Sequence, residues 1–159
     1  MNLDYILIYG NHNKQIDNEI INFWKSEKSL QTYDDFILER RLSEVIYVVK
    51  IENKIAAVCS CDLMFVNQLN GDFLYYRSFV GQNYRNKDIA ENLLQETYNH
   101  FNQFPTFKLK DVKGIYIIFE NELLNKYVRT YHHPFGGTLI GFEKNGNQIR
   151  VKYFDNATF

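Results

Sequence analysis

The stretch Phe79-Val80-Gly81-Gln82-Asn83-Tyr84-Arg85-Asn86-Lys87-Asp88-Ile89-Ala90-Glu91-Asn92-Leu93-Leu94 joins two kinds of periodicity. Before it, Phe73 to Val80 is rich in aromatic and branched residues and reads as a strand. After it, Ile89, Leu93, Leu94, Thr97, Tyr98 and Phe101 recur at helical spacing until Pro105 stops them. Gly114 to Phe119 follows as a short apolar strand. Strand, helix and strand over this length suit a right-handed crossover that lays the two strands parallel. The polar stretch Gly81 to Asp88 then feeds the N-terminus of the crossover helix, where free backbone N–H groups and the helix dipole favour an anion.

Toward the N-terminus, Val45 to Ile51 and Lys54 to Met64 are β-rich runs joined by Glu52-Asn53, a hairpin signal, and Asn70-Gly71 marks the turn into Phe73. Upstream of them, Leu3 to Tyr9 reads as a first strand ending at Gly10-Asn11. Ile16, Ile20, Phe23 and Trp24 form one helical stripe, and a second helix follows with Thr32 as its cap and Asp35 at the third position. Toward the C-terminus, Leu123, Leu124, Tyr127, Val128 and Tyr131 make another helical stripe that ends before Pro134 and Gly136-Gly137. Two strands, Thr138 to Lys144 and Gln148 to Phe154, close the chain around Asn145-Gly146.

The 159 residues suit one domain, 1–159, and 45% hydrophobic with 23% charged residues argues against disorder and fibrous classes. A net charge of -1 supplies no global field for nucleic acid or an anionic membrane. No apolar run approaches the roughly 20 residues a membrane helix needs, and the first residues lack a basic segment followed by an apolar block. A cytoplasmic protein is the expectation. Cys59 and Cys61, two apart in a strand, read as buried hydrophobes in a reducing compartment.

The loop quoted first resembles the cofactor loop of the GNAT superfamily of N-acyltransferases, whose pattern is Arg or Gln, two residues, Gly, one residue, then Gly or Ala. Arg85 fills the first position, Asp88 stands where the Gly is expected, and Ala90 fills the last. Tyr84, Lys87, Ile89 and the Leu93-Leu94 pair agree with common usage, while Asn86 replaces a frequent Gly. A diphosphate is best held by converging N–H donors, to which Arg85 and Lys87 would add charge-assisted contacts. The Asp88 carboxylate opposes this, and the same residue is an ordinary helix N-cap.

The resemblance implies an α/β (α+β) fold with a mixed, mostly antiparallel six- to seven-stranded sheet flanked by helices, built around the central strand-helix-strand crossover. It implies acetyl-CoA or another acyl-CoA as cofactor and an N-acyltransferase that passes the acyl group to a primary amine of a small molecule or peptide by direct attack. The cofactor contacts carried over are Phe79, Val80, Arg85, Asn86, Lys87, Asp88, Ile89, Ala90 and Asn125, with a backbone N–H near Val80 stabilising the oxyanion. Tyr131 takes the role of general acid toward the leaving thiolate, with Tyr127 as the fallback. Both tyrosines also fit the buried stripe of their helix as packing residues.

For the general base, Glu44, Asp62, Glu120 and His133 are all open. His132-His133 has no carboxylate or Cys at ligand spacing, so no metal is expected. A non-catalytic or regulatory binding protein of the same fold is the competing reading, motivated by Asp88. An acyltransferase acting on nucleic acid or using an aminoacyl-tRNA donor, with Lys108, Lys110, Lys113 and Arg129 in mind, ranks below it because of the net charge.

Overall fold

The computed structural model describes residues 2–85 and 88–158. In chain order the elements are β1 (Asp4–Leu7), α1 (Lys14–Glu27), α2 (Asp35–Ser43), β2 (Val45–Ile51), β3 (Lys54–Val66), β4 (Gly71–Val80), α3 (Ile89–Gln103), β5 (Thr106–Phe107), β6 (Lys110–Asp111), β7 (Gly114–Ile118), α4 (Glu122–Tyr127), β8 (His132–His133), β9 (Gly137–Phe142) and β10 (Gln148–Tyr153). Eight strands form one mixed, mostly antiparallel sheet in the order β1-β2-β3-β4-β7-β10-β9-β8, and β5-β6 is a separate hairpin. The expected six to seven strands become eight because β8, too short to read from sequence, pairs His132 with Thr138 and His133 with Gly137. The crossover is as expected: β4 and β7 run parallel, with Leu74, Tyr75 and Tyr76 opposite Ile115, Tyr116 and Ile117.

The chain divides into two compact units, Met1–Cys61 with Arg77–Thr97, and Asp62–Tyr76 with Tyr98–Phe159. The first unit buries the predicted stripe of α1, Ile16, Ile20, Phe23 and Trp24, against Ile8, Leu38, Val45, Val48, Ile55 and Val58. Helix α1 starts where the Asn13 side chain accepts from Ile16 N (3.0 Å). Helix α2 is capped by Asp34, whose Oδ1 accepts from Ile37 N (2.9 Å), and Thr32 only supports that carboxylate (3.3 Å). The cap therefore falls two residues later than the sequence suggested. Glu52 and Asn53 both take left-handed φ values, +50° and +63°, giving the two-residue turn that matches the twist of β2 and β3.

In the second unit Val66, Phe73 and Val151 pack with Met64, Leu69, Tyr116 and Tyr153. Phe101 of α3 meets Phe107 edge to face. Antiparallel pairing joins β10 to both β7 and β9, with a register shift between Ile149 and Arg150. Gly137, at φ +70°, brings its backbone against the Val151 carbonyl, a place without room for a side chain. Among the described residues no helix is long and apolar enough to cross a membrane.

Candidate functional site

The first unit holds the loop that the sequence singled out. At the end of β4, Phe79 packs edge to face on Phe23 of α1, with ring centroids 6.0 Å apart. Gly81 N donates to Ala56 O of β3 (2.8 Å), Gln82 N donates to the Glu27 carboxylate (3.0 Å), and Tyr84 N returns to Gly81 O (2.9 Å) to close a tight helical turn. Arg85 folds back onto the strand end: its Nε donates to Val80 O (3.4 Å) and its guanidinium sits 5.9 Å from the centre of the Phe79 ring. Phe79, Val80 and Arg85 are thus one cluster. Asn86 and Lys87 lie outside the described residues.

Asp88 takes φ +56°, the left-handed region that favours glycine. Its carbonyl accepts from Asn92 N (3.0 Å), so the helical ladder of α3 starts there. An N-cap side chain reaches its helix from extended backbone. Asp88 lacks that extended backbone, and among the described residues no N–H donates to its carboxylate. The expected capping role is therefore corrected: the first-turn N–H groups of Ile89, Ala90 and Glu91 keep no protein acceptor among the described residues. Ile89 is buried and anchors the turn, while Ala90 is exposed.

The second unit holds Asn125, Tyr127 and Tyr131. Asn121 caps α4 by accepting from Leu123 N (2.8 Å). The Asn125 amide is fully engaged: its Nδ2 donates to Phe119 O, Asn121 O and Asn147 Oδ1, and its Oδ1 accepts from Gln148 N (2.8 Å). These bonds tie α4 to β10. The helix ends at Tyr127, so Tyr131 lies beyond it in the segment before β8, a departure from the expected longer helix. Tyr127 and Tyr131 are each 71% exposed, and the buried stripe expected of them does not exist.

That segment is held by Leu139 N, which donates to Tyr131 O (2.8 Å), and by Arg150, a residue that sequence reasoning passed over. It is 0% exposed and donates to Gln148 Oε1 (2.8 Å), Gly137 O (3.0 Å), Thr130 O (2.6 Å) and Tyr131 O (3.5 Å), with its guanidinium over the Phe119 ring. Burial alone pulls its pKa below the usual arginine value.

The open candidates for general base separate by surroundings. Glu44 is 2% exposed, and one of its oxygens accepts from both Arg41 Nη1 (2.7 Å) and Arg77 Nη2 (2.5 Å). That oxygen is committed to two guanidiniums. Asp62 faces Lys108 at 3.5 Å. Glu120 is exposed. The Nδ1 of His133 accepts from Gly136 N (3.3 Å), which assigns its proton to Nε2. Among the described residues no group of three or more His, Cys, Asp or Glu is placed to hold a metal.

Neither a protein-family model nor a curated protein matches this sequence. Solved structures do resemble it in shape. A GNAT-family acetyltransferase from Streptococcus pneumoniae shares 13% identity at TM-score 0.66, covering 96% of this chain and 99% of that one. An acetyl transferase from Salmonella typhimurium, described as modifying the N-terminal serine of the 50S ribosomal subunit protein L7/L12, shares 15% identity at TM-score 0.64, covering 98% and 96%. A ribosomal L7/L12 alpha-N-protein acetyltransferase in complex with coenzyme A shares 12% identity at TM-score 0.64, with the same coverage. With the parallel β4–β7 pair at the centre of its mostly antiparallel sheet, this chain has the GNAT fold.

Proposed function

We propose that the protein is an N-acyltransferase that moves an acetyl or other acyl group from acyl-CoA to a primary amine by direct attack. The observation that carries this reading is the left-handed backbone at Asp88. The family pattern asks for glycine at this position, and the chain keeps the glycine conformation with a different side chain. That conformation leaves the first-turn N–H groups of α3 open to an anion, the arrangement that favours the diphosphate of CoA. Phe79, Val80, Arg85, Ile89 and Ala90 are the cofactor contacts in this reading, with Asn86 and Lys87 retained from the sequence.

An N–H near Val80 serves the oxyanion, and Tyr131 protonates the departing thiolate. Asn125 is better placed as a brace, since its amide is spent within its own unit. Two of the similar structures are described as acting on a ribosomal protein, which favours a peptide or protein amine as acceptor. Such a reaction would belong in the cytoplasm, as expected from composition. A binding protein that kept the fold without the chemistry is the second reading, favoured by the Asp88 carboxylate and the engaged Asn125 amide.

Calorimetric titration with CoA separates the two. Wild type should bind, Arg85→Ala should bind more weakly, and Asp88→Gly should bind equally or more tightly, because it removes a like charge while keeping the turn. Silence from wild type at millimolar CoA would abandon the acyltransferase reading. With an acceptor found by screening, Tyr131→Phe should lower turnover by ~10²–10⁴-fold with CoA affinity barely changed.

A further inference from the structure

We infer that Glu27, the last residue of α1, is a positioning residue that sets the cofactor loop by holding the backbone N–H of Gln82. This rests on the proposed acyl-CoA reading, and it concerns a residue on a different element from the loop it serves.

The chain leaves β4 through two consecutive N–H groups that are both taken by other elements. Gly81 N goes to Ala56 O of β3 (2.8 Å), and Gln82 N goes to Glu27 Oε2 (3.0 Å). Gly81 shows that this junction is tight. Its φ of −55° is open to any residue, so the reason for glycine here is space. A Cβ at Gly81 would lie 3.1 Å from Glu27 Oε1, 3.3 Å from Ala56 O and 3.3 Å from Phe23 Cε2. The Glu27 carboxylate therefore sits at the loop entry with one oxygen bonded to Gln82 N and the other filling the space that a side chain at Gly81 would need.

The choice of residue points the same way. A carboxylate at the C-terminus of a helix faces the negative end of the dipole, where Lys or Arg is preferred. Helix α1 gains nothing from Glu27 on its own account, and the compensating contact is the Gln82 N–H, 55 residues away. Helix α1 is itself fixed, with Phe23 buried in the core of its unit and set against Phe79. A rigid helix thus presents an anion to the first turn of the loop. With Gln82 N committed to Glu27, CoA phosphates must find their donors downstream, where Asp88 opens α3. The carboxylate positions the loop and also keeps an alternative anion seat filled.

Two substitutions separate the hydrogen bond from bulk stability. Glu27→Ala removes the acceptor, and CoA affinity by calorimetry should fall about tenfold, the scale of a lost charge-assisted hydrogen bond. Glu27→Gln keeps an acceptor oxygen and should return affinity to within about threefold of wild type. Gly81→Ala, which leaves Glu27 in place but crowds it, should weaken binding in the same direction as Glu27→Ala. Amide exchange at Gln82 in the CoA-free protein should accelerate in Glu27→Ala and not in Glu27→Gln.

Wild-type affinity in Glu27→Ala, or equal weakening in the Ala and Gln variants, overturns the inference while the cofactor reading stands. Failure of wild type to bind CoA is seen before any variant is compared, and it removes the cofactor reading and this role together.

Discussion

Among the described residues each unit buries one side chain of a charged type, and the two are satisfied in opposite ways. In the first, Glu44 is neutralised by charge: Arg41 from α2 and Arg77 from β4 converge on one of its oxygens. In the second, Arg150 has no carboxylate among its hydrogen-bond partners in the described residues, and its donors go to three backbone carbonyls and the Gln148 side chain. Burial of an ion is costly either way, and both solutions supply several short contacts to offset it. Their structural consequences differ. The Glu44 cluster joins side chains of elements that are already regular, whereas Arg150 binds backbone carbonyls of the irregular segment between α4 and β8 and of the start of β9. The carbonyls of Thr130, Tyr131 and Gly137 converge on one guanidinium, and Tyr131 O also accepts from Leu139 N (2.8 Å). The segment carrying Tyr131 is therefore held by Arg150 together with its backbone pairing to β9.

The largest expected effect follows from that difference. Arg150→Leu should cost about 4 kcal/mol or more in urea denaturation, because it strands several buried carbonyls at once. Amide exchange in residues 128–138 should rise far more than in β7. If stability fell while exchange in that segment stayed at the wild-type level, the backbone-shaping role would be broken.

Glu44→Ala comes next, at about 3–5 kcal/mol, since it leaves two guanidiniums in mutual repulsion. Burial first, and then the neighbouring Arg77 charge, already pulls the Arg41 pKa below its usual value. Arg77→Ala should cost about 1–2 kcal/mol, because Glu44 keeps Arg41 as its partner. A loss from Arg77→Ala as large as that from Glu44→Ala would show that Arg41 alone cannot hold the anion.

The smallest effect sharpens the contrast at high pH. Burial first, and then Asp155, pushes the Tyr98 hydroxyl up to about 12. The raised folded pKa means that its contribution is complete below the unfolded tyrosine value of about 10 and is lost as pH rises from there toward about 12. Tyr98→Phe should flatten that alkaline limb in denaturation measured across the window. An unchanged limb would place the loss on other groups.

Regular elements were legible because their local signals agree with their packing. Val45–Ile51 and the Glu52-Asn53 turn came directly from β-branched runs and turn chemistry, and the α1 stripe is buried as its spacing implied. The parallel crossover followed from element lengths. Helix α4 shows where this fails. Leu123, Leu124, Tyr127, Val128 and Tyr131 have helical spacing, yet the carbonyls of Val128, Thr130 and Tyr131 are taken by Gln148 and Arg150 side chains of β10. Helix propensity lost to long-range hydrogen bonds that no local window contains. Arg150 itself was hidden because Gln148, Arg150 and Lys152 alternate as a solvent-facing set would. In the candidate site the residue types of the loop were readable, while the Glu27 contact, 55 residues away in sequence, was not. The angle at Asp88 was equally out of reach, because a letter that departs from a pattern does not say whether the backbone departs with it.

That angle bears on how such a loop ages. Aspartate in the left-handed region costs the fold on the order of 1 kcal/mol against glycine, and Asn and Asp enter it more readily than other side chains. With φ already at +56°, replacing Asp88 by Gly or Asn asks the chain for no movement. Descent can then exchange these letters while the turn into α3 stays as it is. At position 88 the letter departs from the pattern while the backbone keeps the angle that favours glycine.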